Sequence, residues 1–176
     1  RGVKYRFIQT EGKNHLNLIN AFKKIQNNNN VNFKLSLVGT GPELINIRNY
    51  ILKNKLDKSI TLDGFKNIKN MDKWFKEIDV YVHWSKGEVV SRSILEAMQN
   101  QKIIFASKIL STKEQLINGI RCGILFNDEK DFVNKLNKYF SNNQKIKKLR
   151  LNILNKIESS YSVNKFVKTF EHSLGK

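Results

Sequence analysis

The chain has 176 residues, 40% of them hydrophobic, enough for one domain with a continuous core and too few for two domains of ordinary size. Its 32 Lys+Arg against 15 Asp+Glu leave a net charge of +17, which narrows the partner toward phosphate in nucleotides, nucleic acid or anionic lipid headgroups without choosing among them. A solvated basic surface would look the same, because the lysines are scattered among Asn and Ile. Cys122 is the only cysteine, so a disulfide framework is excluded and a reducing, cytoplasmic setting is expected.

No apolar run approaches the roughly 20 residues of a membrane span, so any membrane association is expected to be peripheral. The sequence starts at Arg1 rather than Met and turns apolar almost at once, as a fragment of a longer protein would.

The first predicted element is a strand over residues 3–8, followed by an amphipathic helix whose apolar stripe is Leu16, Ile19, Phe22 and Ile25. Four asparagines, 27–30, end that helix. A second strand over 33–38 stops at Gly39, Gly41 and Pro42, the only proline, which opens a helix carrying Leu44, Ile47 and Ile51. The order then repeats: strand 60–62, a helix with Met71, Trp74, Phe75 and Ile78, strand 80–83, helix 94–98, strand 103–106, a short helix near 114–117 and strand 123–126. From Asp128 onward the pattern is helical. Strands apolar on both faces and separated by helices predict a doubly wound, Rossmann-like α/β domain with a parallel sheet, over residues 1–176. Such sheets bind ligands outside the carboxyl ends of their strands, so the loops after Ile8, Val38, Leu62, His83 and Ala106 should line one crevice.

Gly39-Thr40-Gly41-Pro42 lies between a strand and a helix, where Gly39 would let a phosphate approach the backbone. A tight structural turn explains the same residues, and the spacing is neither G-x-G-x-x-G nor a Walker loop. More informative is the segment from Glu88 to Met98, in which two carboxylates, Glu88 and Glu96, bracket a helix start with Ser91 at the N-cap. From Ser91 to Glu96 is about 7–8 Å of helix, comparable to a diphosphate. The N–H groups of Ser93, Ile94 and Leu95 would then face phosphate oxygens at the positive end of the helix dipole, and each glutamate would accept hydroxyl hydrogen bonds at one end of the ligand. On spacing alone, a loop surface charge at Glu88 and a solvated helix residue at Glu96 remain the simpler account.

The segment resembles the E-x7-E signature of family 4 glycosyltransferases, close to E-G-L-P-R-S-L-L-E-A-M, with Arg92, Ser93, Leu95, Glu96, Ala97 and Met98 in register. Lys13-Asn14-His15 resembles that family's K-N-H or K-G-H, Val38 to Pro42 its V-G-x-G-P, and Leu62 to Phe65 its F-L-G-F. Ser107 to Ile117, Asn118-Gly119 and Gly123 to Phe126 resemble S-D-V-G-G-x-P-E-L-I, D-G and G-L-L-F. The resemblance implies the C-terminal donor domain of a GT-B enzyme, without its acceptor-binding N-terminal domain. It implies that Lys13 and Arg6 neutralise the diphosphate, Glu88 holds donor-sugar hydroxyls, Glu96 holds the ribose, and Phe65 and Lys66 meet the base. Catalysis would then rest on Glu88, Glu96 and Lys13, none a nucleophile, by positioning and electrostatics.

The resemblance further implies a retaining glycosyltransferase of bacterial surface polysaccharide, lipopolysaccharide or glycan synthesis. Its partners would be a nucleotide sugar, the missing domain, a glycan or lipid-linked acceptor and an anionic membrane face. The isolated chain would bind its donor and transfer nothing. This sequence departs from the pattern at Val89, Ser91 and Leu110-Ser111, where Gly, Pro or Gly, and Gly-Gly are usual, and at Arg6, two residues farther from Lys13. A weakened or altered donor preference is the expectation from these departures. No cofactor or metal is expected, since His15, His83 and His172 are scattered and no Asp-x-Asp exists. Two other readings stay open: a degenerate sugar-nucleotide binder that never catalyses, and a basic nucleic-acid-binding module, which has the charge but no recognisable motif.

Overall fold

The computed structural model describes residues 4–9, 15–28, 33–66, 73–87 and 89–161. The elements in chain order are β1 (Lys4–Gln9), α1 (His15–Asn28), β2 (Lys34–Gly39), α2 (Leu44–Lys53), β3 (Ile60–Gly64), a helical turn at 73–76, β4 (Val80–His83), α3 (Arg92–Gln99), β5 (Ile103–Ser107), α4 (Leu110–Leu116), β6 (Ile124–Phe126), α5 (Glu129–Phe140), α6 (Asn143–Lys156) and a π-helical turn (Ile157–Tyr161). The six strands form one sheet in the order β3-β2-β1-β4-β5-β6, and every neighbouring pair is parallel. This is the doubly wound α/β sheet that the alternating pattern predicts. The order reverses between β1 and β4, with Tyr5 opposite Val80 and Arg6 opposite Tyr81, and the reversal opens a crevice at the carboxyl ends.

Strands β4 and β5 bury their side chains at every position because both faces of the sheet are covered. Val80, Val82, Ile103 and Phe105 join the cluster built by α1, α2 and α5, whereas Tyr81, Ile104 and Ala106 join the cluster of Trp74, Phe75, Ile94, Met98 and Leu116 on the opposite face. A side-chain period of two thus feeds two cores from one apolar run. Each fully buried Ile or Phe contributes about 1.5–3 kcal/mol relative to exposure. Helix α6 serves both cores: Leu149 belongs to the first cluster and Ile153 to the second.

Some boundaries and faces differ from the sequence reading. Leu16 is 44% exposed, and the buried stripe of α1 runs through Leu18, Ile19, Phe22 and Ile25. Helix α4 begins at Leu110, four residues before Glu114, because Thr112 Oγ1 accepts from the Ile109 N–H at 3.2 Å and also donates to Ser107 O at 2.6 Å. Strand β3 runs on to Gly64, whose φ of 64° suits a residue without a Cβ. Val3, Met71 and residues 162–176 lie outside the described residues.

Candidate functional site

Strand β4 ends at His83 and α3 starts at Arg92, which brings a helix N-terminus to the carboxyl end of the sheet, next to the switch point. Ser91 occupies the N-cap in extended backbone, φ −91° and ψ 108°, yet its side chain caps nothing. Its hydroxyl lies 3.0 Å from Ser93 Oγ and 3.5 Å from His83 Nδ1. Tyr81 Oη donates to Ser93 Oγ at 2.8 Å and lies 3.3 Å from His83 Nδ1. Tyr81, His83 and Ser91 are buried, so this cluster fixes the first turn of α3 to β4 at the expense of an N-cap hydrogen bond. The expected capping role of Ser91 is therefore corrected: it stands at the N-cap, but its hydroxyl meets Ser93 Oγ and His83 Nδ1 rather than a backbone N–H.

A second device holds the same turn. Gln115 of α4 accepts from the Ser91 N–H at 3.1 Å through Oε1 and donates to Ser91 O at 3.2 Å through Nε2. Ser107, at the end of β5, accepts from the Ser85 N–H at 2.9 Å and donates to Ser85 O at 2.7 Å. The loop after β4 is thus tied at two points to the segment after β5.

The N–H groups of the first helical turn have no partner within a helix. In α3 these belong to Arg92, Ser93 and Ile94. Leu95 sits one residue too far along: its N–H donates to Ser91 O at 3.4 Å, which removes it from the set of candidate phosphate donors and brings Arg92 in. The Ile94 side chain is wholly buried, so only its backbone faces the crevice. Glu96 follows in the second turn and is half-buried.

Gly39 ends β2 with φ 131°, a conformation that L side chains rarely adopt, and is buried. Phe65, 73% exposed, and half-buried Lys66 follow β3 at the same end of the sheet. Arg6 lies in β1, paired with Ser36 on one side and Tyr81 on the other, three positions from the strand's loop end. Lys13 and Glu88 lie outside the described residues. Ile45, Phe65, Val89, Val90 and Leu110 are all exposed large apolar residues, and all follow the carboxyl ends of β2 to β5.

Sequence reasoning missed the buried hydroxyl–imidazole cluster and Gln115. The available signal was Tyr81 and His83, two polar residues two positions apart in an otherwise apolar strand. His83 and His15 are buried, as a core reading of the histidines expects, and Trp74 and Phe75 are core. Among the described residues, no group of three His, Cys, Asp or Glu is placed to hold a metal ion, and no helix is long and apolar enough to cross a membrane. Cys122 is no nucleophile. Burial pushes its thiol up to about 11 although Lys156 pulls the other way, and its sulfur donates to Leu116 O at 3.5 Å.

A parallel 3-2-1-4-5-6 sheet with a helix N-terminus at its switch point defines a doubly wound α/β domain, and the solved structures that share this fold are C-terminal domains of GT-B glycosyltransferases. The chain matches the family model described as Glycosyl transferases group 1 over residues 6–156 and belongs to that family. The C-terminal domain of the group 1 glycosyl transferase LpcC from Francisella tularensis is similar with TM-score 0.75 and 19% identity, over 92% of this chain and 86% of that one. Anabaena HepE, solved with UDP and glucose, is similar with TM-score 0.81 and 19% identity, over 99% of this chain and 48% of that one. The pneumococcal O-GlcNAc transferase GtfA, solved with UDP and GlcNAc, gives TM-score 0.75 and 15% identity, over 99% and 37%. The chain therefore spans about half the length of HepE and about a third of GtfA. No curated protein sequence matches it.

Proposed function

We propose that the chain is the donor-binding half of a retaining glycosyltransferase of the E-x7-E type, family 4, and that it takes a nucleoside-diphosphate sugar. The observation that carries this reading is the uncapped N-terminus of α3: Ser91 is turned into the fold, so the N–H groups of Arg92, Ser93 and Ile94 are left for an anion at the positive end of the helix dipole. In this reading the diphosphate sits on that turn, Lys13 and Arg6 neutralise it, and Gly39 allows close backbone approach. Glu96, about a turn further along the helix, accepts from the ribose hydroxyls. Glu88 accepts from the sugar, while Phe65 and Lys66 border the base.

Departure of the diphosphate places growing negative charge on those fixed donors, which is where preorganised dipoles lower a barrier most. No metal is required for that. The exposed apolar residues after β2 to β5 support a second, acceptor-binding domain closing over this end of the sheet, in keeping with a chain that spans only part of its full-length likenesses. The parent would act on a glycan or lipid-linked acceptor in bacterial surface polysaccharide synthesis, from the cytoplasmic face of the membrane.

The test is a saturation-transfer NMR screen of UDP-, GDP- and ADP-sugars against this chain, followed by a transfer assay. Binding of one class without transfer is the expected result. Failure of all three to bind, or transfer by the chain alone, would overturn the reading.

A further inference from the structure

A hollow of about 490 Å³ lies along β6, the last strand of the sheet, between α4 and the α5–α6 pair. It is large enough for a ligand the size of a sugar phosphate or diphosphate. Six of its twelve lining residues are cations, Lys108, Lys113, Arg121, Lys135, Lys138 and Lys145, and none is an acid. They come from five separate segments: the end of β5, α4, the turn before β6, α5 and the start of α6. A lysine-rich composition alone would scatter such residues among acids rather than converge them on one concavity.

One of the six has a structural task. Lys135 donates to Leu125 O at 2.8 Å, covering a carbonyl of the edge strand, and pairs with Asp131 at 2.7 Å. The other five form no ion pair with the described residues. Lys145 is placed against its own helix: it stands in the first turn of α6, where the dipole repels a cation and where no acid balances it. Like charges gathered around a low-dielectric wall repel one another and focus a positive field into the hollow. A bound anion would relieve both.

We propose that this hollow is a second anion site, separate from the donor crevice, and that it binds a phosphate-bearing group. Arg121 supplies planar paired donors and the lysines supply point charges suited to phosphate oxygens. The same chemistry is offered by a lipid phosphate headgroup and by a soluble phosphate ester.

The experiment uses inorganic pyrophosphate as the soluble probe and phosphatidylglycerol vesicles as the membrane probe, on the 176-residue chain. The triple variant Lys113→Gln, Lys138→Gln, Lys145→Gln is compared with a control, Lys53→Gln, Lys58→Gln, Lys73→Gln, which loses the same charge at exposed positions away from the hollow. Calorimetry with pyrophosphate is run with the donor crevice saturated by the nucleoside diphosphate that binds best, so that loss of this site is distinguishable from failure of the donor reading. The triple variant should bind at least tenfold more weakly and the control within twofold of the parent. Vesicle flotation lost only in the triple variant assigns the lipid source; pyrophosphate binding without flotation assigns the soluble one. Equal losses in both variants, or no binding of either probe, would overturn the proposal.

Discussion

Gln115 grips the backbone of Ser91 from both sides, accepting from its N–H at 3.1 Å and donating to its carbonyl at 3.2 Å. Both residues are buried, so this single side chain sets where α3 begins relative to α4. Gln115→Met keeps the volume and leaves a buried N–H unpaired, at a cost of about 1–3 kcal/mol. Urea unfolding should show that loss. Amide exchange at Ser91, whose N–H the clamp holds, and at Leu95, whose N–H donates to Ser91 O, should rise more than in the core strands; an unchanged exchange pattern would mean that the clamp does not hold the turn.

The proposed roles of the two glutamates separate by ligand. Glu96→Gln replaces one acceptor oxygen by a donor and should weaken both free nucleotide and sugar nucleotide, because both carry the ribose. A hydrogen bond to a charged group contributes about 1.5–3 kcal/mol, and its upper end corresponds to roughly a hundredfold in affinity. Glu88→Gln should weaken the sugar conjugate alone. Calorimetry on the four combinations decides, and if neither substitution changes nucleotide binding, Glu96 is a solvated helix residue.

Cys122 gives a pH dependence of defined sign. The folded thiol keeps its proton up to about 11, against an ordinary 9.0, because it is buried. The folded state therefore binds this proton more tightly, so the contribution is complete below pH 9 and is lost as pH climbs toward 11, at about 1.4 kcal/mol per pH unit. The stability difference between the parent and Cys122→Ala should shrink across that window in urea titrations at pH 8, 9 and 10. A constant difference would contradict it.

Gly123 is fixed by packing rather than by dihedral angle. A Cβ there would stand 2.8 Å and 2.9 Å from the two δ carbons of Leu116 and 3.1 Å from its Cβ, and Leu116 is fully buried. Gly123→Ala should destabilise by about 1–3 kcal/mol through overpacking, read as a lower urea midpoint with an unchanged slope.

The sheet was legible in the sequence because parallel strands covered on both faces must be apolar at consecutive positions, and the runs at 80–82 and 103–106 are so. Helix α4 was placed too late because its start depends on Thr112 reaching back to Ile109 and on an exposed Leu110, neither of which leaves an apolar period. Leu16 was put on the wrong edge of the α1 stripe, since Leu16 and Leu18 are interchangeable by composition and only the packing of α5 on α1 selects Leu18. At the site, the helix start at Ser91 was legible, but the direction of its hydroxyl was not. That direction depends on Tyr81 and His83, ten and eight residues earlier, and on the depth at which β4 sits beneath α3. The clamp by Gln115 joins residues 24 apart and leaves no local trace.

Leu149 and Ile153 enter different cores from one helix, so α6 acts as a rivet through the end of the sheet. Neither hydrophobic layer is finished until residues 149–153 are in place. Opening of α6 alone would therefore wet both layers at once.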